Sequence, residues 1–170
     1  MSHGLRTDPA YLKSRAQFLH RTRTFFHDRN VLEVMTPLLR NHTALDAHID
    51  SFEVRLDKVS YFLQTSPELA MKILLSKGSG DIYQLTPVFR KEPWTGPLHL
   101  REFLMLEWYR HGIDEMDLAK EVIALLEYLG CQKTVKCLPL RQTFKMHFSL
   151  DLWTADFQAL QQLCVEKCDL

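Results

Sequence analysis

The chain has 170 residues, enough for one domain with a substantial core, and its 46% hydrophobic and 25% charged content is ordinary for a globular protein. Its 21 basic and 21 acidic residues give no formal net charge, which argues against a broad electrostatic surface for nucleic acid. No apolar run has the length of a membrane span and the first residues lack a secretory apolar core, so we expect a cytoplasmic protein with no membrane partner.

The first third of the chain predicts a helix followed by short strands. Asp8 and Pro9 are typical of a helix start, and apolar residues then recur with helical spacing. Asn30 is suited to a left-handed helix end. A polar loop is predicted over 41–50. Strands are predicted at 31–34, 51–55 and 59–64.

The sequence around Ser66 predicts the start of another helix. Ser66 is a good N-cap, Pro67 suits the first turn, and Glu68 would favour the helix dipole. A well-capped helix therefore explains these three residues without a ligand. Glycines at 78 and 80 are expected to end the helix.

The stretch from Asp81 to His111 predicts two strands joined by a loop that contains two prolines and a glycine. If 82–92 is extended, one face carries Ile82, Gln84, Thr86, Val88, Arg90 and Glu92. In 102–110 the apolar residues Leu104, Leu106 and Trp108 point one way. The opposite side carries Phe103, Met105, Glu107 and Tyr109.

Antiparallel pairing of these strands would gather side chains that suit a phosphorylated, aromatic and cationic ligand. Arg90 suits phosphate because a guanidinium binds it bidentately, and Phe103 offers a flat apolar face to a base. Glu107 and Tyr109 suit an ammonium group. From the residues alone, the alternative is a cross-strand salt bridge between Arg90 and Glu92 or Glu107.

The rest of the chain predicts one clear helix and two weaker elements. Asp114 caps the clear helix and Gly130 ends it. Its predicted buried stripe consists of Leu118, Val122, Leu125, Leu126 and Leu129. Alternation over 143–148 indicates a strand, and 156–167 predicts a helix. The four cysteines lack CxxC spacing, so reduced thiols are expected and no metal site is predicted.

Two segments of the long hairpin resemble motif 2 of the class II aminoacyl-tRNA synthetases, a strand, a loop and a strand. They are Phe89-Arg90-Lys91-Glu92 and His99-Leu100-Arg101-Glu102-Phe103, within a motif of about 82–110. The helix, strand and proline over about 15–38 resemble motif 1. The tail from Phe103 to Arg110 is similar to the lysyl-tRNA synthetase-like branch that ligates β-lysine to elongation factor P. The resemblance implies an α+β fold, with an antiparallel sheet flanked by helices.

The resemblance implies a ligase in which ATP and lysine or β-lysine form an aminoacyl-adenylate, whose acyl group passes to a lysine of elongation factor P. Arg90 would be the catalytic residue that holds the α-phosphate. The implied ATP-binding residues are Arg90, Lys91, Glu92, His99, Leu100 and Phe103. The implied amino-acid-binding residues are Ser66, Pro67, Glu68, Glu107 and Tyr109. Mg²⁺ would accompany ATP, with ligands expected outside this chain, and motif 1 would form a homodimer.

One expected motif is missing from the sequence. Motif 3, Gly-x-Gly-x-Gly-x-x-Arg, occurs nowhere in the 170 residues, so we interpret 1–170 as the N-terminal part of an incomplete catalytic domain with impaired catalysis. Two alternatives stay open: a non-catalytic nucleotide-binding, amino-acid-binding or dimerisation fragment, and a lysine–tRNA ligase. No anticodon-binding domain precedes motif 1, so tRNA is not an expected partner. The resemblance does not separate lysine from β-lysine.

Overall fold

A computed structural model of the protein describes residues 8–43, 46–91 and 99–168. The chain divides into two compact units, Met1–Cys131 and Gln132–Leu170. The first unit contains, in chain order, α1 (Pro9–His27), β1 (Leu32–Glu33), β2 (Leu39–Arg40), β3 (Glu53–Leu56), β4 (Val59–Leu63), α2 (Glu68–Ser76), β5 (Ile82–Phe89), β6 (Glu102–Tyr109) and α3 (Glu115–Tyr128). The second unit contains α4 (Leu140–Phe148) and α5 (Phe157–Cys168). In these described ranges, every helix is too short or too polar to cross a membrane.

Two three-stranded sheets lie in the first unit. One sheet has the order β1-β5-β6, in which β1 runs parallel to β5 and β5 pairs antiparallel with β6. The other has the order β2-β4-β3 and is antiparallel throughout. The predicted α+β class and the predicted β5–β6 hairpin are confirmed. The parallel β1 makes the first sheet mixed, whereas a purely antiparallel sheet was expected.

The core of the first unit lies where the β1-β5-β6 sheet packs against α1 and α3. Its buried cluster consists of Phe25, Phe26, Val31, Tyr83 and Leu125. The Phe26 ring stacks on the Tyr83 ring at a centroid distance of 4.5 Å, and the Trp108 ring lies 5.5 Å from Phe26. Because successive residues of a strand alternate between faces, the face of the hairpin that carries Tyr83 and Trp108 packs against this core.

Local signals start and end the two long helices as predicted. The Asp8 carboxylate accepts hydrogen bonds from the backbone of the first turn of α1, and Pro9 takes its first position. Asn30 has a φ of 55°, the left-handed conformation expected after α1. The Asp114 carboxylate caps α3 by accepting from the backbone of Asp117 at 2.8 Å.

The predicted strand at 143–148 is wrong, because these residues belong to α4. The helix follows Pro139, and the Thr143 hydroxyl donates to the Pro139 carbonyl at 3.0 Å. Phe144 and Phe148 are four residues apart, and their rings contact at 4.7 Å across one helical turn. The spacing of apolar residues in this segment fits a strand period and a helical period equally well. Alternation alone therefore could not distinguish a strand from a helix. The predicted helix at 156–167 is confirmed as α5.

The predicted buried stripe of α3 is only partly correct. Leu125 is buried, Val122 and Leu129 are half-buried, and Leu129 packs against the core cluster. Leu118 and Leu126 are exposed. The Tyr128 ring, which was not part of the predicted stripe, lies 5.7 Å from the Phe25 ring of α1.

Candidate active site

The β5–β6 hairpin has a second face, opposite the core. Cross-strand pairing places Gln84 opposite Glu107, Val88 opposite Phe103, and Ile82 opposite Tyr109. Since residues paired across two strands share a face, we define the site face as Ile82, Gln84, Thr86, Val88, Phe103, Met105, Glu107 and Tyr109. Three of the predicted site residues therefore lie on one side of the hairpin, and Arg90 directly follows β5.

The Glu107 carboxylate is held in place by two hydroxyl groups. Tyr109 donates to one carboxylate oxygen at 2.8 Å, and Ser66 donates to the other at 3.2 Å. Burial and the bond to Glu107 raise the pKa of Tyr109, so its phenol stays protonated and continues to donate. Each carboxylate oxygen has a further lone pair, so a fixed Glu107 can accept from an ammonium ligand.

The turn before α2 connects both ends of the site. The Ser66 hydroxyl accepts from the backbone N–H of Glu68 at 3.0 Å while it donates to Glu107. The Thr65 carbonyl accepts from Nε of Arg90 at 3.4 Å. The helix begins at Glu68 with Pro67 in the N-cap position, so the predicted N-cap Ser66 lies one residue earlier and still satisfies a helix N–H.

The other two predicted residues of this turn have different environments. Pro67 is fully buried, so its side chain shapes the turn from inside the protein. Glu68 is exposed and forms an ion pair with Lys72 one helical turn later. Hydrogen bonding to Glu68 raises the pKa of Lys72. The Glu68 carboxylate is therefore accessible, and its charge is partly compensated by an exposed lysine, in a surface ion pair that a cationic ligand could replace.

Arg90 and Phe103 form the other end of the site. The guanidinium carbon of Arg90 lies 5.2 Å from the centre of the Phe103 ring, within the range of a cation–π contact. The Arg90 backbone donates to the Arg101 carbonyl at 3.0 Å, which fixes Arg90 at the loop end of the hairpin. Among the described residues Arg90 forms no ion pair with Glu107, so the predicted alternative of a salt bridge between these two residues is not observed.

The remaining predicted ATP residues are less closely connected to this site. Lys91 is exposed and its backbone donates to the Asp50 carbonyl at 2.8 Å. His99 and Leu100 are exposed just before β6, and within the described ranges the His99 ring has no hydrogen-bond partner. Glu92 and the loop over 93–98 lie outside the described residues.

The structure adds one residue that the sequence did not assign to the site. Gln84 is 1% exposed and lies opposite Glu107 on the site face. Neither its amide oxygen nor its amide nitrogen has a hydrogen-bond partner among the described residues. Buried polar groups are normally paired, so the Gln84 amide can form hydrogen bonds with a water molecule or a polar ligand that reaches this position. The sequence signal that could have identified Gln84 is an amide at a site-face position of a strand whose other residues are mostly apolar.

Histidines and carboxylates of the first unit do not assemble a metal site in the part of the chain that the structure describes. No group of three or more His, Cys, Asp or Glu side chains there could hold a metal ion. The His42 ring contacts the Asn41 side chain at 2.8 Å and the Arg40 guanidinium at 2.7 Å.

Comparison with known proteins places the fold and the motifs in one family. The family described as tRNA synthetases class II (D, K and N) matches residues 7–154. The chain is similar to asparaginyl-tRNA synthetase from Pyrococcus horikoshii, solved in complex with asparaginyl-adenylate, with a TM-score of 0.63 and 24% identity. That similarity covers 69% of this chain and 27% of the synthetase, and it shows a common fold.

More similar sequences carry the name elongation factor P–(R)-β-lysine ligase. The protein of Pseudoalteromonas translucida (strain TAC 125) is 42% identical over 164 residues, which are 93% of this chain and 50% of that protein. The protein of Yersinia pestis (strain Pestoides F) is 40% identical over 167 residues, 95% of this chain and 51% of its own length. The chain thus spans about half the length of the relatives it matches.

Proposed function

Since the chain belongs to the class II tRNA synthetase family, we propose that it acts in the ATP-dependent activation of lysine or β-lysine and in the transfer of the acyl group to a lysine of elongation factor P. The names of its most similar relatives support this substrate pair, and the motif resemblance supports ATP. In this proposal the site face holds the amino acid at Glu107 and the nucleotide at Arg90.

One observation carries the proposal, namely the arrangement around Glu107. A carboxylate oriented by Tyr109 and Ser66 lies on the same face as a guanidinium held over an aromatic ring. Phe103 and Glu107 are four positions apart on an extended strand, a span of about 13 Å. This span suits a ligand with an ammonium at one end and an adenylate at the other.

The proposed chemistry consists of positioning and charge neutralisation. The substrate carboxylate attacks the α-phosphorus of ATP, an adenylate forms, and pyrophosphate leaves. Arg90 holds the α-phosphate oxygens and stabilises their increased negative charge, while Phe103 stacks on the adenine. Glu107 and Tyr109 bind the terminal ammonium, and Glu68 takes the second amino group. Mg²⁺ would accompany ATP. The described residues offer no set of ligands for it, so no step is assigned to the metal.

The edge of β1 supports the proposed homodimer. Leu32 and Met35 are 57% and 94% exposed beside this outer strand of the sheet. Exposed apolar residues around a free strand edge are typical of a surface that a second copy covers. Sedimentation equilibrium tests this part of the proposal. A monomer at every protein concentration would contradict it.

Calorimetric titration with lysine and with (R)-β-lysine tests the amino-acid site. Glu107→Gln is expected to lower the affinity about tenfold or more, because the ammonium loses a charged acceptor. The matched control is Glu102→Gln, which removes an exposed carboxylate from the same strand on the opposite face. Equal losses in both variants, or none in either, would count against the proposal.

Because no motif 3 pattern occurs within the 170 residues, the second candidate is a fragment that binds ATP or the amino acid without catalysis. Amino-acid-dependent pyrophosphate exchange separates the two, and we expect the chain to exchange weakly or not at all. Exchange at a rate typical of a synthetase would favour the complete ligase. Transfer to lysine-accepting RNA in place of elongation factor P would favour the lysine–tRNA ligase.

A further inference from the structure

The β1-β5-β6 sheet ends at β6, and no described strand pairs with the outer edge of β6. The Arg90 backbone donates to the Arg101 carbonyl, so these residues form a hydrogen-bonded pair that continues the β5–β6 register. Because hydrogen-bonded and non-bonded pairs alternate along an antiparallel ladder, Glu102, Leu104 and Leu106 direct their backbone N–H and C=O groups outward. An eight-residue strand with such an edge is a template for a further strand.

An open apolar groove lies beside this edge, on the core face of the hairpin. Its volume is about 670 Å³, and its apolar walls come from α1, β5, β6 and the end of α3. Phe18 of α1 and Leu104 of β6 are 50% and 39% exposed. Leu104 and Leu106 thus have side chains in the groove and backbone groups at the outer edge. A polypeptide that extends the sheet can therefore also fill the groove with its side chains.

The charged residues that line the groove are all basic. Arg15 and Arg21 belong to the described lining, whereas no acidic residue does. The Arg21 guanidinium lies 5.1 Å from the centre of the Tyr128 ring, and Arg15 has no hydrogen-bond or ion-pair partner in the described ranges. These charges favour a partner that carries acidic side chains beside its apolar ones. They disfavour a second copy of this chain, which would add the same arginines to the interface.

The relatives of the chain indicate which polypeptide can occupy this surface. This chain matches about half of each relative, so each relative has another half of similar length. In a protein of that length the other half needs a surface on the matched half. The outer edge of β6 and its groove provide one, because they offer strand hydrogen bonds together with apolar contacts.

We propose that the β6 edge and its groove bind a separate polypeptide that corresponds to the other half of these relatives. A strand of this partner pairs with the outward backbone groups of β6, and its apolar side chains fill the groove. The groove lies on the opposite side of the hairpin from Glu107, so filling it leaves the site face open. The inference depends on the family of the chain and on none of the proposed substrates.

The test combines this chain with the half of the Pseudoalteromonas translucida ligase that it does not match. The two polypeptides are produced in the same cells, with an affinity tag on the ligase half, and purified on that tag. We expect a heterodimer by sedimentation. The heterodimer should show amino-acid-dependent pyrophosphate exchange at least about tenfold above that of either polypeptide alone, because exchange requires both parts of the domain.

Two variants distinguish strand pairing from groove filling. Leu104→Pro removes an outward N–H and leaves the hydrogen bonds to β5 in place, because Leu104 is in a non-bonded pair. Phe18→Asp introduces a charge into the groove at an exposed position. Each should weaken the heterodimer about tenfold or more and leave the affinity of the chain for lysine within about twofold.

Arg55→Pro is the matched control for the proline substitution. Arg55 lies in β3, an outer strand of the other sheet, where its N–H also points outward. The backbone bond from Leu63 to Phe52 shows this, because it makes the Arg55–Ser60 pair a non-bonded one. This variant should bind the ligase half as tightly as the wild type does.

Each outcome decides the inference. If Leu104→Pro does not fold, Phe18→Asp carries the test alone. No heterodimer, or a ligase half that stays insoluble beside this chain, overturns the inference. Wild-type affinity in both variants overturns it too, since the ligase half then binds elsewhere. Self-association that Leu104→Pro abolishes would assign the surface to a second copy and also overturn the inference. A heterodimer that both variants weaken but that lacks exchange supports the inference and counts against the proposed activation chemistry.

Discussion

The two faces of the β5–β6 hairpin differ in one buried polar side chain, Gln84. On the core face the Tyr83 hydroxyl donates to Glu33 at 2.9 Å, and the Trp108 ring nitrogen donates to Glu121 at 3.0 Å. On the site face Gln84 is equally buried, and both ends of its amide lack a partner among the described residues. On the core face, the Tyr83 and Trp108 donors both have acceptors. On the site face, the Gln84 amide has no partner among the described residues.

This difference separates residues that hold the fold from residues available to a ligand. A buried amide without a hydrogen-bond partner costs about 1–3 kcal/mol of free energy, and a ligand that supplies the hydrogen bonds offsets that cost. A core-face residue should therefore matter for the free energy of unfolding and little for binding. A site-face residue that binds the ligand should show the opposite behaviour, whereas the fully buried Ile82 and Val88 of the same face should behave as core residues.

The largest expected effect on stability belongs to Phe26 of α1, which packs against the core face of the hairpin. Phe26 is fully buried against Tyr83 and Trp108, so Phe26→Ala leaves a cavity and should lower the free energy of unfolding by about 3–5 kcal/mol. Urea denaturation followed by circular dichroism measures the change. The milder Phe26→Leu keeps a measurable transition if the alanine variant is largely unfolded. A loss below about 1 kcal/mol in the alanine variant would contradict the assigned core.

Arg90 tests the opposite behaviour at the site end of the hairpin. Arg90→Ala should weaken ATP binding about tenfold to a hundredfold, because charge-assisted bonds to phosphate are lost, while the free energy of unfolding changes by less than about 0.5 kcal/mol. Arg55→Ala removes an exposed guanidinium from β3 and is the control. Titration calorimetry and thermal unfolding supply the two values. Unchanged ATP affinity in Arg90→Ala would assign Arg90 a structural role.

A substitution at Gln84 is expected to change the free energy of unfolding and the lysine affinity in opposite directions. Gln84→Met removes the unpaired amide at nearly constant volume, so we expect the free energy of unfolding to rise by about 1 kcal/mol while lysine affinity falls about fivefold. Gln142→Met changes an exposed glutamine of α4 and controls for the general effect of the substitution. A fall in both quantities would mean that Gln84 is a structural residue whose partners form in solution.

The hairpin was predictable from the sequence because its two faces differ in composition. Leu104, Leu106 and Trp108 alternate with polar and aromatic residues, and that period survives in the structure. The motif spacing also pointed to Arg90, Glu107 and Tyr109; the structure places Glu107 and Tyr109 on one face with Arg90 directly after β5, and their roles stay a prediction. The sequence could not show that the Gln84 amide is unpaired, because a period of two gives the face on which a residue lies but not which groups surround its side chain. The α4 segment was misjudged for a related reason, since Phe144 and Phe148 satisfy a helical and an extended period alike.

The smallest expected effect concerns Asp81, which precedes β5 and joins it to the residues after β6. Its carboxylate accepts from the His111 backbone at 2.7 Å and pairs with Arg110 at 2.9 Å. Burial acts to raise the pKa of Asp81, but the bonds from His111 and the charge of Arg110 outweigh it, so the pKa lies below its ordinary value of 3.8. A carboxyl with a lowered pKa in the folded state stabilises the protein above that ordinary value and loses this contribution as the pH falls through the lower value.

Asp81→Asn should therefore be less stable than the wild type at pH 7, by about 1 kcal/mol or less, and the difference should shrink below pH 4. Urea denaturation at pH 7 and at pH 3 measures it, with Asp57→Asn as the control for the loss of an exposed carboxylate. Lysine affinity should be unchanged, because Asp81 supports the open end of the hairpin, away from the connecting loop, and contacts none of the proposed ligand groups. A stability difference that grows toward pH 3, or a loss of lysine affinity, would show that this open end and the site face are coupled.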